Sequence, residues 1–162
     1  MKSLIELKNI SLKYKNKNIL KNINFKINDG EKIALIGKSG AGKTSLISIL
    51  NGTKRQTNGD IKIYGQDFNN LDNSQKRKIG TIWQDLRLID DLSAEQNVNC
   101  GLLGNQNLIF TLKNLLNLNK FLKAHKVMEL CQMKSSIYSK NLKTLSGGQK
   151  QRIAISRSII QE

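Results

Sequence analysis

Eight residues in the first third of the chain have the types and spacing of a phosphate-binding loop. They fit the pattern G-x-x-x-x-G-K-[ST] and run Gly37-Lys38-Ser39-Gly40-Ala41-Gly42-Lys43-Thr44. Glycines allow positive φ angles and let backbone N–H groups close on phosphate oxygens. Lys43 is expected to reach the β- and γ-phosphates of a nucleoside triphosphate, and the Thr44 hydroxyl is expected to hold Mg²⁺. The loop therefore predicts nucleotide binding.

Two flanking segments must position this loop. Residues 31–36 form an apolar-rich run that predicts a buried strand, and residues 45–50 carry apolar side chains at helical spacing. Strand, glycine loop and helix is the order that the chemistry requires, because the N-terminus of the helix adds partial positive charge beside the phosphates. The alternative is a glycine turn before an ordinary helix.

Length and composition limit the class of protein. The chain has 162 residues, 38% of them hydrophobic, and no proline, which is typical of one globular domain with its own core. The longest apolar run is Ile33–Ile36, too short for a transmembrane helix or a secretory signal. Cys100 and Cys131 lack the spacing of a metal site, so we expect a reduced, cytosolic protein in which both are core residues.

The net charge of +15 at pH 7 has two interpretations. It predicts either a surface for nucleic acid or anionic membrane, or a lysine-rich composition without such a role. Lysine is scattered along the chain rather than blocked, and single-strand binding sites usually pair charge with stacking rings. We therefore favour the second interpretation.

Strand patterns precede and follow the loop. Residues 4–12 and 19–27 predict an antiparallel arm, with Tyr14 either stacked on a nucleobase or half-buried in its strand. Residues 79–83 predict another buried strand, which ends at Gln84. An α/β sheet binds its ligand at the carboxyl edge of its strands, so the Gln84 amide is placed to reach Mg²⁺ and an attacking water.

The character of the chain changes after Ala94. Leucines at helical spacing over residues 102–133 predict a mainly helical subdomain inserted into the sheet domain. His125 lies on a lysine-rich helix face with no partner evident in the sequence, and we expect it to be a solvated surface residue.

A second glycine loop, Leu145-Ser146-Gly147-Gly148-Gln149, leads into another amphipathic helix. Its helix N-terminus is a second place for an anion, and Ser146 can hydrogen-bond phosphate.

Together these residues strongly resemble the ATP-binding subunit of ATP-binding-cassette (ABC) transporters. Gly37–Thr44 resembles the family's Walker A motif, Gln84 its Q-loop, and Leu145–Gln149 is identical to its LSGGQ signature. The resemblance implies an α/β P-loop NTPase core with an N-terminal antiparallel β arm and an inserted mainly helical subdomain. It implies ATP and Mg²⁺ as ligands, with Lys43 and Gln84 catalytic and with Thr44 and Gln84 at the metal. The nucleotide contacts that it implies are Tyr14, Gly37, Lys38, Ser39, Gly40, Ala41, Gly42, Lys43, Thr44, Ser45, Gln84, Ser146, Gly147, Gly148 and Gln149.

The resemblance also implies organisation and partners. Residues 1–93 correspond to the arm and P-loop core, residues 94–144 to the helical subdomain, and residues 145–162 to the signature loop and helix. A second ATP-binding subunit and transmembrane permease subunits are the expected partners, which places the protein in the cytoplasm against the inner face of the cell membrane. Nucleic acid is not an expected partner.

The spacing and local sequence narrow the class within the family. The interval from Thr44 to Leu145 is too short for the coiled coil of chromosome-maintenance relatives, and residues 140–144 lack the acidic-glycine element usual in exporters. Residues 79–84 and 97–104 resemble phosphonate-import ATPases. The alternatives are a non-transport ABC protein acting on nucleic acid or the ribosome, and a catalytically inactive truncated paralogue.

One departure from the family pattern predicts low activity. After the signature helix the family has an apolar strand ending in Asp-Glu (Walker B) and then a switch histidine, whereas these 162 residues end at Ile160-Gln161-Glu162. We expect the 162-residue chain alone to hydrolyse ATP negligibly, since a missing general base usually costs about 10²–10⁴ in rate. Phosphate release from the purified chain, with Lys43→Ala as background, measures this. Turnover near ~1 s⁻¹ that vanishes in Lys43→Ala would contradict it.

Overall fold

The structure, a computed structural model, describes residues 3–118 and 121–161. The chain divides into two units, Met1–Lys76 and Arg77–Glu162.

A four-stranded antiparallel sheet forms most of the first unit. Its strands are β1 (Ser3–Tyr14), β2 (Lys17–Asn28), β3 (Asn58–Ile63) and β4 (Gln66–Asp67), in the order β2-β1-β3-β4. The predicted antiparallel arm is thus present, with β3 beside it. Apolar side chains from one face of the strands are buried, among them Leu7, Ile10, Leu12, Leu20, Ile61 and Ile63.

Helix α1 (Lys43–Leu50) and all but the last residue of helix α2 (Asn73–Arg77) complete the first unit. Helix α1 follows the glycine loop as predicted and buries Leu46 and Ile49. The chain leaves α1 through Gly52 at φ +75°, where a Cβ atom would collide with the Phe68 ring. Helix α2 follows a short 3₁₀ turn.

Two predicted strands are absent, and both predictions were wrong. Residues 31–38 have no regular structure and are exposed, and residues 79–83 form no strand either. The side chains of Ile33, Ile36 and Ile82 are 61%, 91% and 49% exposed. A strand exists only if its backbone N–H and C=O groups pair with a neighbour. Neither segment pairs with another strand among the described residues, so the apolar character of the two runs did not suffice to make them strands.

Helices dominate the second unit, and two of them lie within residues 102–133, where leucine spacing predicts helices. The helices are α3 (Ala94–Asn99), α4 (Leu108–Leu115), α5 (Leu122–Leu130) and α6 (Gly147–Ile159), joined in part by 3₁₀ turns. Side-chain caps set the starts of three of these helices: Ser93 caps α3, Asn107 caps α4 and Ser146 caps α6. One apolar cluster holds α3, α5 and α6 together, and it includes Val98, Met128, Leu142, Ile153 and Ile160.

Helix α4 is attached to α3 by amide groups. Asn114 is 1% exposed, and its Oδ1 accepts from Asn99 Nδ2 at 2.9 Å. Gln96 Nε2 donates to the Asn114 carbonyl at 2.6 Å, and Asn114 Nδ2 donates to the Gln96 carbonyl at 3.3 Å. The opposite side of α4 is apolar and faces solvent, with Leu108 and Leu112 at 73% and 50% exposure. The helix therefore has its polar side inward, the reverse of an ordinary surface helix.

Among residues 3–118 and 121–161, no helix is long and apolar enough to cross a membrane.

Candidate nucleotide-binding site

The glycine loop of the first unit is closed on itself by Lys43. The Lys43 ammonium donates to the carbonyls of Gly37 and Lys38, at 2.7 and 2.9 Å, and the Ala41 N–H donates to the Lys38 carbonyl at 3.2 Å. An ammonium has three N–H donors, so a third can reach a phosphate oxygen while two hold the loop. The first N–H groups of α1 have no acceptor within the helix, and they add donors at the same place.

One glycine of the loop is required by geometry on two counts. Gly42 immediately precedes α1 with φ +91°, a conformation that side chains rarely adopt. A Cβ atom there would lie 2.9 Å from Leu20 Cδ2 and 3.0 Å from the Ile19 carbonyl oxygen, both on β2. The loop therefore passes so close to the sheet that only glycine fits.

The remaining predicted residues of the first unit take different positions. Tyr14 ends β1 with 65% of its surface exposed, so the alternative in which it is half-buried is wrong, and its ring is accessible for stacking. Thr44 and Ser45 lie in the first turn of α1, with Thr44 exposed.

In the second unit, Gln84 begins a tight turn. The turn covers residues 84–87 and contains two successive non-glycine residues with positive φ, Leu86 at +57° and Arg87 at +47°. The Arg87 guanidinium lies over the Trp83 ring, 4.0 Å from its centroid. Gln84 itself is exposed.

Two helices hold the chain around this turn. Arg157 of α6 donates to the carbonyls of Leu86 and Arg87, each at 2.6 Å. Downstream, the buried Asn97 of α3 accepts from the Ile89 N–H at 2.8 Å and donates to the Ile89 carbonyl at 3.0 Å. The turn that carries Gln84 is thereby fastened to the helix that begins at the signature loop.

The signature loop forms a capping box at the start of α6. Ser146 Oγ accepts from the Gln149 N–H at 3.3 Å, and Gln149 Oε1 accepts from the Ser146 N–H at 2.9 Å. The N–H groups of Gly147 and Gly148 lie between these two and have no acceptor within the helix. A Cβ atom on either glycine would meet no atom within 4 Å. The backbone is therefore open to close approach by an anion.

The structure corrects the prediction for His125. Its Nε2 lies 2.6 Å from Glu95 Oε2, and its ring stacks on Tyr138 with 4.8 Å between centroids. The Glu95 side chain is only 10% exposed. His125 therefore links α5 to α3 through a partner that the sequence did not reveal, while 39% of its side chain remains exposed. The two residues lie thirty positions apart, so no local pattern announces the pair.

Sequence reasoning also missed Arg157 and Asn114, since their partners lie far along the chain, and it missed Asn97, which binds the backbone of Ile89 eight positions away. Cys100 and Cys131, predicted as core residues, are both only partly buried; Cys131 packs against the apolar cluster, and burial raises the pKa of the Cys100 thiol.

The donor chemistry suits Mg²⁺. The Thr44 hydroxyl and the Gln84 amide oxygen are hard oxygen ligands, which this ion prefers. Thr44 lies in the first unit and Gln84 in the second.

The chain is similar to known proteins over nearly its whole length. The family described as ABC transporter matches residues 20–162. The phosphonates import ATP-binding protein PhnC of Fusobacterium nucleatum subsp. nucleatum is 40% identical over 98% of this chain and 66% of its own length. The spermidine/putrescine import ATP-binding protein PotA of Legionella pneumophila subsp. pneumophila is 38% identical over 97% of this chain and 40% of its own length. The chain thus spans two thirds or less of the length of these relatives.

Solved structures agree on the fold. The dimeric structure of the ATP-binding cassette MJ0796 in a post-hydrolysis state, bound to ADP and Pi, matches with a TM-score of 0.78 and 27% identity. That match covers 98% of this chain and 70% of the cassette. The cbiO1 structure from Clostridium perfringens matches with a TM-score of 0.78 at 22% identity, over 99% of this chain and 62% of that protein. The predicted P-loop NTPase fold is confirmed, and the chain belongs to the ABC transporter family.

Proposed function

We propose that this chain is the ATP-binding and ATP-hydrolysing part of an ABC importer, in which binding and hydrolysis drive solute movement. The observation that carries the proposal is the Lys43 ammonium, held by two loop carbonyls at the start of α1. Two further findings support the proposal: the family match over residues 20–162, and two relatives that are named as import ATP-binding proteins.

Each residue then has a role in phosphoryl transfer. Lys43 neutralises charge on the β- and γ-phosphates, while N–H groups of the loop and of α1 donate hydrogen bonds to the phosphate oxygens. Thr44 and Gln84 would hold Mg²⁺, which neutralises charge on the phosphates when bound. Gln84 also orients the attacking water, and Tyr14 offers its exposed ring to the adenine. The chemistry depends on positioning and charge rather than on covalent steps.

A two-fold dimer is part of the proposal. The Gly147 and Gly148 backbone is open to an anion, and in this arrangement it meets the γ-phosphate of ATP held by the loop of a second copy. Such an interface is self-complementary and creates two shared sites. The dimeric state of the MJ0796 cassette supports it.

Crosslinking between two tagged variants tests the dimer. Ser39→Cys and Gly147→Cys chains, mixed with ATP, are expected to form a 39–147 crosslink that joins the two tags. Because the two cysteines are on different chains, only an intermolecular contact can produce it. An exposed serine outside the signature, Ser139→Cys, replaces Gly147→Cys in the control. Equal yields for the two mixtures, or no ATP dependence, would contradict the shared site.

Phosphonate or phosphate-ester import is the proposed substrate class, supported by the relative at 40% identity. The polyamine-import relative at 38% identity provides the competing substrate class. In cells that supply the permease and the solute-binding protein, uptake of labelled methylphosphonate is expected to depend on Lys43, and uptake of labelled spermidine is not. The reverse dependence would overturn the substrate proposal and leave the ATPase proposal intact. In this arrangement the chain works at the inner face of the membrane through the permease.

A further inference from the structure

The turn after Trp83 has a backbone conformation that its own residues do not favour. Leu86 and Arg87 both have positive φ, at +57° and +47°, and neither is glycine. Two adjacent left-handed non-glycine residues persist only where surrounding groups hold them, and such strain concentrates at switch and ligand-binding segments.

Arg157 supplies the holding contacts. Its Nη1 donates to the Arg87 carbonyl and its Nη2 to the Leu86 carbonyl, both at 2.6 Å, so one planar guanidinium fixes the two strained peptides together. Arginine suits this task because its donors form a rigid fork, whereas a lysine ammonium is a point donor on a flexible stem. Within the turn itself the support is short-range: the Leu86 N–H donates to the Trp83 carbonyl, the Arg87 N–H donates to the Asp85 carbonyl, and the Arg87 guanidinium lies 3.7 Å from the Asp85 carboxylate.

The same helix carries an arginine in a comparable role elsewhere. Arg152 donates through Nη1 to the carbonyls of Cys131 and Gln132, at 3.0 and 2.9 Å, just beyond the end of α5, where Gln132 has a positive φ. Helix α6 therefore has two arginines that each hold a left-handed turn, and only Arg157 contacts the turn that carries Gln84.

We propose that Arg157 is a positioning residue that fixes the turn carrying Gln84 to the signature helix. The importance of this link for ATP chemistry rests on the proposed function. The existence of the link does not rest on the proposed function, because the link can be measured without nucleotide. A failure of the ATP-binding tests would therefore leave the link in place, and a failure to find the link would leave the ATP-binding proposal in place.

The chain has a built-in probe for the turn. Trp83 is its only tryptophan, and the Arg87 guanidinium covers one face of the ring. If the turn relaxes, Arg87 leaves the ring, and acrylamide quenches the Trp83 fluorescence more strongly. Arg87→Ala defines the quenching of the uncovered ring.

The experiment compares Arg157→Met, Arg157→Lys and Arg152→Met in the full 162-residue chain, with far-UV circular dichroism as a check on folding. For Arg157→Met we expect quenching to approach that of Arg87→Ala. We also expect amide exchange at residues 86–87 to become about 10- to 100-fold faster, the factor that corresponds to the loss of a charged hydrogen bond. Arg157→Lys is expected to lie between Arg157→Met and the unmodified chain. Arg152→Met is expected to leave both readouts unchanged.

Three results would overturn the proposal. The first is an Arg157→Met chain that is folded and matches the unmodified chain in both readouts. The second is an Arg152→Met chain that loosens the turn as much as Arg157→Met does, which would indicate a general loss of stability. The third applies if Arg157→Met does not fold. In that case an Arg157→Lys chain that matches the unmodified chain in both quenching and exchange would overturn the proposal.

Discussion

Lys43→Ala is expected to weaken ATP binding by at least about 1.5–3 kcal/mol, or roughly 10- to 100-fold. The substitution removes the main positive charge at the β- and γ-phosphates. It also removes the two hydrogen bonds through which the ammonium holds the carbonyls of Gly37 and Lys38. The variant therefore loses both a ligand of the phosphate and the closure of the loop.

Titration of labelled ATP against the two proteins measures the effect. Lys54→Ala is the matched control, because Lys54 is an exposed lysine of the same unit that lies outside the loop. It removes the same charge and is expected to change affinity little. Equal affinities for Lys43→Ala and the unmodified chain would show that the glycine loop is not the nucleotide site.

Asn114→Leu is expected to lower the free energy of unfolding of the second unit by about 2–4 kcal/mol, since each buried polar group left without a partner costs about 1–3 kcal/mol. Leucine at this position would remove the acceptor of Asn99 Nδ2 and the donor to the Gln96 carbonyl. Urea unfolding followed by Trp83 fluorescence reports on this unit, because the single tryptophan belongs to it.

The control substitution, on the same helix, replaces an apolar side chain with a polar one. Leu112 is 50% exposed on the apolar side of α4, so Leu112→Gln is expected to change the free energy of unfolding by less than about 0.5 kcal/mol. A larger loss for Leu112→Gln than for Asn114→Leu would mean that α4 packs through its leucines.

The elements that were predicted correctly are determined by residues close together in the sequence. The β1–β2 arm follows from alternation and a polar turn, and the start of α6 follows from Ser146 and Gln149, three residues apart. The glycine loop and α1 are likewise encoded within eight or so neighbouring residues.

What the sequence failed to predict depends on distant partners. Residues 31–36 and 79–83 have apolar strand composition, but a strand also needs a neighbour, and composition carries no information about pairing. Arg157 meets its two carbonyls across 70 and 71 positions, and Glu95 meets His125 across 30. An arginine on an amphipathic helix usually faces water, so nothing in its local sequence marked Arg157.

The two glycines at the start of α6 have a consequence for how this protein responds to selection. Each is a poorer helix former than alanine, and outside the neighbouring residues and the helix's own backbone no atom lies within 4 Å of where a Cβ would be. Alanine at Gly147 or Gly148 would therefore raise thermal stability without any clash inside the chain. A laboratory selection for heat resistance alone would enrich these replacements, and the added methyl groups would obstruct the backbone that an anion must approach. Under the proposed function, glycine at these positions would serve anion binding at the expense of helix stability.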